Sequence, residues 1–547
     1  MLGRHWRVLP IAVVLVCATV LLTWRLGAVY LWQDEAATAV LAERMLKYGK
    51  PLAYDGRNLI TMDSMADEDR ATLHLRTGDV DAMLKYLVAR KDFRPDTTWV
   101  NQPWGQFVAA AASLGLLGHG TWQARLPFAL AGIATVLLLY LLVMRVFADR
   151  ALAVLAAALL TANAFWILNA RQARYYALSS LFLVLSVSAF LYWMRGGRWG
   201  APIFVLFGWL YFQSDFGSFF PTMAVLGLAG IAVTWPRIGG VLGWFAALAA
   251  AIGPFALYYG IHDRVRAPIF PSPWARVAGT TFGFNQYVIA IPLLTMAIWI
   301  LWRKRGSLDR GPRQLLATSM GILLATLVWV PIVSPAPFIR YVIHLSPIAA
   351  LVGAWTIVSI GDAVVSRLGR VRWRPVILAG LGLLVGGTGL FAAPIALALR
   401  ALPFQVPSTE LLTRPELRAG LREVFVERPD PNRIAIDAIA ARLRPNDEIL
   451  VTYEDIPFMF YTDARIRGGI AAFRVEDYQA APPRFLVVRR SFASVHWPVF
   501  ERSAARSRWS EIKTGAPDVP WGNFIDPMAW PVASTGAELT VVERVGP

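Results

Sequence analysis

The sequence predicts an α-helical multi-pass membrane protein, with about eleven transmembrane helices, that ends in a soluble α/β domain. Three observations carry that class. The 547 residues are 56% hydrophobic and only 16% charged, with a mean hydropathy of +0.49, outside the balance of a soluble globular chain. Runs of about 18 to 22 apolar residues recur from Val8 to Ala393, each long enough to cross a hydrocarbon core that takes about 20 helical residues. From about Pro403 the chain turns polar, with charges, prolines and short apolar stretches. The expected division is a membrane domain over 1–402 and a soluble domain over 403–547.

The apolar runs place spans at 8–26, 126–144, 151–169, 176–194, 201–214, 216–235, 239–260, 287–302, 314–333, 340–360 and 375–395. With the N-terminus in the cytoplasm, the inside loops hold Arg4 and Arg7; Arg145 and Arg150; Arg195 and Arg198; Arg237; the cluster from Arg303 to Arg313; and the cluster from Arg367 to Arg374. Every inside loop is then positive, as the positive-inside rule requires. The 27–125 segment, the 169–174 and 261–286 loops, 334–338 and the C-terminal domain fall outside. The net charge of +17 is spread over short loops and not gathered in one stripe, which argues for a topogenic role and against nucleic acid.

Cys17, the single cysteine, lies in the first apolar run, so no intrachain disulfide is available. That run ends in Thr23-Trp24-Arg25-Leu26 without a small-x-small cleavage site, and Val16 precedes Cys17. An uncleaved first span is expected, not a signal peptide or a lipoprotein leader. Within the first external loop (27–125), "EAATAVLAERMLKY" (35–48) reads as an amphipathic helix along the membrane surface, and "NQPWGQFVAAAASLGLLG" (101–118) as an interfacial or re-entrant helix. Towards the C-terminus "NRIAIDAIAARL" and "IPFMFYT" read as helices, and "DEILVTY", "RFLVV" and "ELTVVERV" as strands. Their alternation favours a small α/β layer. There is no internal repeat and no low-complexity segment.

Four polar features interrupt this apolar chain. In "LWQDEAAT" (31–38), Asp34 and Glu35 fit a helix start, Asp34 as N-cap and Glu35 in the first turn. They equally fit reacting carboxylates at the membrane–water boundary, and an N-cap Asp can serve as a base. In "NARQARYYALSS" (169–180), Arg171 and Arg174 are interfacial cations or phosphate ligands, since guanidinium forms charge-assisted, often bidentate bonds to phosphate; Tyr175 and Tyr176 follow them. "PFIRYVIHLSP" (337–347) sets Arg340 and Tyr341 at another outer interface. In "YFQSDFGSFF" (211–220), Asp215 lies in a turn, pairs with a cation or faces a cavity, because a carboxylate in lipid is costly. The six histidines show no metal-ligand spacing, and there is no HExxH or phosphate-binding glycine loop.

The acidic pair after the first span, "QPWGQFVAAAASLGLLG" and "QARLPFALAG" entering the second, "ARYYAL" entering a later one and "RYVIHLSP" near the end occur in an order that resembles the membrane-embedded GT-C glycosyltransferases. Among these it resembles the bacterial relatives of the protein O-mannosyltransferases and of the lipid A aminoarabinose transferase, over roughly residues 5 to 360. The resemblance implies GT-C architecture with a periplasmic C-terminal domain, in the inner (plasma) membrane. It implies inverting transfer of a sugar from a polyprenyl-phosphate donor to a hydroxyl of an envelope lipid or glycan. Alternatives are a protein O-glycosyltransferase of the same type, a non-enzymatic lipid-linked sugar transporter, for which paired repeats would be expected, and a degenerate scaffold.

By the same resemblance Asp34 is the general base, Glu35 orients the acceptor or supports Asp34, and Arg171, Arg174 and Arg340 bind the departing phosphate. Tyr175, Tyr176, Asp215 and Tyr341 are candidate substrate contacts. Asp215 stands where relatives often carry His-Tyr, and 55–100 is longer and more charged than the pattern. No cofactor is certain; for a divalent cation the local options are Asp34, Glu35 and Asp63. The partners implied are the donor, the acceptor and membrane lipids, with no nucleic acid.

Overall fold

A computed structural model describes residues 2–60, 93–263, 272–334, 338–369, 371–398, 415–427, 429–451, 453–468, 483–489, 507–518 and 538–546. The first helix, α1 (Leu2–Thr23), is followed by α2 (Gln33–Tyr48) and α3 (Gly105–Leu117), which pack on each other. Next come α4 (Thr121–Phe147), α5 (Arg150–Thr161), α6 (Ala164–Ala170), α7 (Tyr176–Met194), α8 (Gly200–Phe212), α9 (Phe216–Thr234) and α10 (Gly239–Tyr259). The bundle continues with α11 (Pro273–Tyr287), α12 (Ile291–Lys304), α13 (Arg310–Val333), a 3-10 run over Ile339–Leu345, α14 (Ser346–Leu368) and α15 (Arg374–Gly387).

Six of these helices are long and apolar enough to cross a membrane, and the number rises to eight if each of two bent pairs is one span. Each of the eleven expected spans meets a helix, but among the described residues eleven full crossings are not reached. The apolar part of α1 is Val8–Thr23, α8 has 13 residues and α15 has 14. The stretch read as one span at 151–169 is broken: α5 and α6 meet at 68°. The span read at 287–302 begins in a break instead, with α11 and α12 at 88°.

Both breaks are built around asparagines, which re-satisfy the backbone groups that a broken helix would strand in an apolar setting. Asn163 caps α6 by accepting from the Trp166 N–H at 2.9 Å, and donates to the Val288 carbonyl, at the other break, at 3.3 Å. Asn285 accepts from the Ile291 N–H at 2.9 Å and donates to the Ala392 carbonyl at 2.9 Å. Hydropathy averages over such a point, so the sequence reading at 151–169 runs straight through Asn163.

The C-terminal region contains α16 (Pro415–Phe425), α17 (Pro431–Ala440) and α18 (Asp455–Tyr461). Its five-stranded sheet has the order β2-β1-β3-β5-β4. β1 (Glu448–Val451) is parallel to β2 (Arg465–Gly468) and β3 (Phe485–Val488), whereas β5 (Thr540–Gly546) runs antiparallel to β3 and β4 (Arg508–Ile512). The expected strands appear as β1, β3 and β5. The edge strands β2 ("RIRG") and β4 ("RWSEI") are too charged to read as strands. Ile436, Ile439, Val451, Phe458, Phe485 and Val541 form this domain's core. The expected boundary at 402/403 lies outside the described residues.

Candidate active site

The site is set by the start of α2. The helix begins two residues earlier than the acidic pair suggested: its N-cap is Trp32, in extended conformation (φ −84°, ψ 174°) and without a side-chain capping bond. Asp34 is therefore not the cap but the second residue of the first turn, beside Glu35, where both carboxylates still favour the positive end of the helix dipole. Gln33 is drawn into the helix because its amide is held on both sides, donating to the Asp455 carboxylate at 2.7 Å and accepting from the Ile456 N–H at 3.2 Å.

Asp34 keeps 22% of its side chain exposed, and its Oδ2 lies 3.5 Å from Nη2 of Arg174. Arg174 also donates to the Asp34 carbonyl at 3.2 Å, so one side chain fixes both ends of the residue. Burial works against the charge of Arg174, but Asp34, and then Tyr176 and Tyr175, outweigh it and hold the guanidinium above its usual pKa. Burial also pushes the Tyr175 phenol well above its usual value, which keeps it a hydrogen-bond donor. Asp34, Tyr175, Tyr176 and Tyr341 are the charged and phenolic neighbours of Arg340. Its guanidinium lies 5.8 Å from the Trp32 ring, 4.3 Å from Phe338 and 5.8 Å from Tyr341, a cation held among aromatic faces. Arg174, Arg340 and Tyr176 thus face one carboxylate, with Tyr175 and Tyr341 beside the two arginines.

Glu35 is in the opposite situation. Its side chain is 1% exposed. The Arg125 fork grips both its oxygens, at 2.8 and 2.6 Å, and the Ala173 N–H donates at 2.8 Å. Arg125 spends its remaining donors on the carbonyls of Leu26, Val29 and Tyr30, at 2.9, 2.8 and 3.3 Å. The pair welds the loop before α2, the first turn of α4 and the 171–175 loop together. Sequence reasoning passed over Arg125, although a signal existed: an arginine one turn into an apolar helix needs a partner.

Arg171 stands apart from the other two arginines. It donates to the Trp24 carbonyl, its charged neighbours are Arg125, Glu423, Glu35 and Arg25, and it lines a cleft on the Glu35 side. Asp215 proves to be a turn: it caps α9 by accepting from the Gly217 N–H at 2.9 Å and from the Ser218 hydroxyl. It also borders the site, 4.0 Å from Nδ1 of the buried His344 and close to Tyr175. His344 lies in "RYVIHLSP", among histidines whose spacing gives no ligand signal.

The chain superposes over 98% of its length on the crystal structure of ArnT from Cupriavidus metallidurans bound to undecaprenyl phosphate, covering 98% of that chain, with a TM-score of 0.56 and 14% identity. The chain has a GT-C fold. The apo form of the same ArnT gives a TM-score of 0.53 at 15% identity, covering 99% of this chain and 98% of that one. No family model matches the chain, and no curated relative matches its sequence.

Within this fold the C-terminal domain sits directly on the start of α2. The Tyr30 N–H donates to Asp430 at 2.6 Å and its hydroxyl to Asp437 at 2.9 Å; its ring stacks on Tyr461 at 3.8 Å. The Leu31 N–H donates to the Tyr461 hydroxyl at 3.0 Å. α2 is consequently not a surface helix open to water on one face: Ala36, Ala39, Leu41 and Ala42 are fully buried beneath α3 and α18. Among the described residues no group of three or more His, Cys, Asp or Glu could hold a metal ion. Of the local options named from sequence, Glu35 is committed to Arg125 and Ala173, Asp34 faces Arg174, and Asp63 lies outside the described residues.

Proposed function

We propose that this chain is an inverting glycosyltransferase that moves a sugar from a polyprenyl-phosphate donor to a hydroxyl of an envelope lipid or glycan at the outer face of the inner membrane. The observation that carries the reading is the Asp34 carboxylate, open where Glu35 is closed, facing Arg174 and beside Arg340 in a fold shared with an ArnT that binds undecaprenyl phosphate. Asp34 accepts the proton of the acceptor hydroxyl as its oxygen attacks the anomeric carbon. The bond from that carbon to the phosphate oxygen breaks, and the electron pair leaves with the phosphate. Arg174 and Arg340 meet the charge of the leaving group, so no general acid is required. Tyr175, Tyr176 and Tyr341 border the path of the sugar, and Glu35 positions Asp34 through Arg125.

The same proposal places the N-terminus in the cytoplasm and residues 403–547 in the periplasm. The contacts of Tyr30 and Gln33 with the C-terminal domain support a common face for the first external loop and that domain. The two bent helix pairs favour one second reading, a lipid-linked sugar carrier, because interrupted helices also build transport sites.

Purified protein incubated with radiolabelled polyprenyl-phosphate sugars decides between them. Wild type is expected to transfer the sugar or slowly hydrolyse the donor, and folded Asp34→Asn to do neither. An Asp34→Asn protein with full activity would refute the base assignment; wild type inert towards every donor would favour the carrier.

A further inference from the structure

A cleft lies on the Glu35 side of the first turn of α2, walled by the segment after α1, by α6 and by α16. Three arginines, Arg25, Arg125 and Arg171, and two carboxylates, Glu35 and Glu423, line it together with Trp32 and Gln172, and Leu168 and Val424 stand on its apolar side. Its polar groups are under-used. The Trp32 indole N–H and the Gln172 side-chain carbonyl are both buried without a hydrogen-bond partner, in residues only 4% and 5% exposed. Such orphans are uncommon and mark places where something else supplies the bond. The Gln172 amide can turn to present its N–H2 group, since its two ends are interchangeable in shape.

The charge balance points the same way. Among the described residues Arg171 forms no ion pair. Of the acids near it, Glu35 is saturated by Arg125 and Ala173, and Glu423, which has a further interaction of its own, keeps a buried Oε2 without a hydrogen bond, so the cleft holds three guanidinium groups against two carboxylates. Burial and the adjacent Arg125 guanidinium pull Arg171 down to about 10. Arg25 is engaged only loosely, 3.7 Å from the exposed carboxylate of Glu427. A half-buried cation beside a second cation, flanked by an unpartnered donor, is an environment completed by an oxyanion.

We propose that this cleft is a second anion site, one that takes a phosphate group and is separate from the donor-phosphate position at Arg174 and Arg340. Arg171 and the Trp32 N–H would donate to the phosphate oxygens, and Leu168 and Val424 would border whatever carries it. Two sources offer this chemistry at an outer interface, a phospholipid headgroup and a free phosphate ester. Binding here does not depend on sugar transfer, so the proposal and the glycosyltransferase reading fail separately.

The test uses the full chain in zwitterionic nanodiscs, carrying Arg340→Gln to weaken the donor position, and titrates inorganic phosphate against chloride at matched ionic strength. The expected result is a saturable rise in melting temperature. Arg171→Gln should raise the apparent dissociation constant about tenfold, and Arg171→Lys should keep most of the affinity. Each variant is compared with its own chloride baseline, which separates lost binding from lost folding. Gln172→Leu, which leaves the Arg171–Trp24 bond in place, should also weaken binding. Nanodiscs containing phosphatidylglycerol identify the source: a melting temperature already raised and insensitive to added phosphate assigns the site to a lipid headgroup, and an unchanged titration assigns it to a free phosphate ester. No saturable rise with either ligand, or an identical titration after Arg171→Gln, overturns the proposal.

Discussion

On one side of the first turn of α2, Asp34 keeps 22% of its side chain exposed and meets one guanidinium at 3.5 Å; on the other, Glu35 is 1% exposed and takes three hydrogen bonds from Arg125 and Ala173. The two carboxylates differ by one methylene and one position in the chain. What separates them is saturation. A carboxylate whose lone pairs are all taken can hold geometry but has nothing left for a substrate proton, whereas one with free acceptor capacity and a nearby cation can act on a substrate. Adjacent acids thus divide the labour of a site by the direction in which the helix points them.

Substitutions can break or sharpen that contrast. Asp34→Asn should lower turnover by about 10²- to 10⁴-fold, the range of general-base loss, while leaving the melting temperature close to wild type. Parallel donor-turnover and thermal-melt measurements check it. Glu35→Gln should reverse the pattern, because it leaves Arg125 buried without its counter-charge; a loss of about 3–5 kcal/mol is the scale for breaking a buried pair. If Glu35→Gln melted like wild type while losing turnover, the division of roles would be wrong.

Gln33→Ala is the intermediate case. It removes two buried bonds to α18 and frees the residue next to Asp34, so kcat should fall about tenfold with little change in KM for the donor. An unchanged kcat would mean that the C-terminal domain is not needed to place the base.

The smallest effect concerns pH. His119 lies 2.5 Å from Glu43 and stacks on Phe460 at 4.1 Å, and the Glu43 hydrogen bond raises its pKa above the ordinary value of 6.5. A raised folded-state value means that this stabilisation is complete below about pH 6.5 and is lost as pH rises through the raised pKa. Both ends are partly exposed, so solvent screening keeps it below about 1 kcal/mol. Melting curves of wild type and His119→Gln from pH 5 to 9 should converge towards the alkaline end.

The outline of the fold and the residues gathered around Asp34 leave local marks in the sequence. Apolar runs of span length announce the bundle, and Asp34, Arg174, Arg340 and the tyrosines sit near the ends of those runs, where a polar residue stands out. Other features carried no local mark. The Arg125–Glu35 pair joins residues 90 positions apart, and the contact between Gln33 and Asp455 joins residues 422 apart. The Asn163 break sits inside a run whose average hydropathy is unaffected, and nothing in "NARQAR" tells Arg171, which lies near Glu35 and Glu423, from Arg174, which faces Asp34. Asp63 and most of the charged 55–100 stretch lie outside the described residues.

The stack of Tyr30 on Tyr461 gives the site an order in time. Translation delivers the acidic pair well before the groups that grip the segment beside it, Asp430, Asp455 and Tyr461, which emerge more than 390 residues later. A nascent chain therefore carries Asp34 through that interval without the clamp beside it, and the final geometry forms only when the segment around α17 and α18 folds back onto the start of α2.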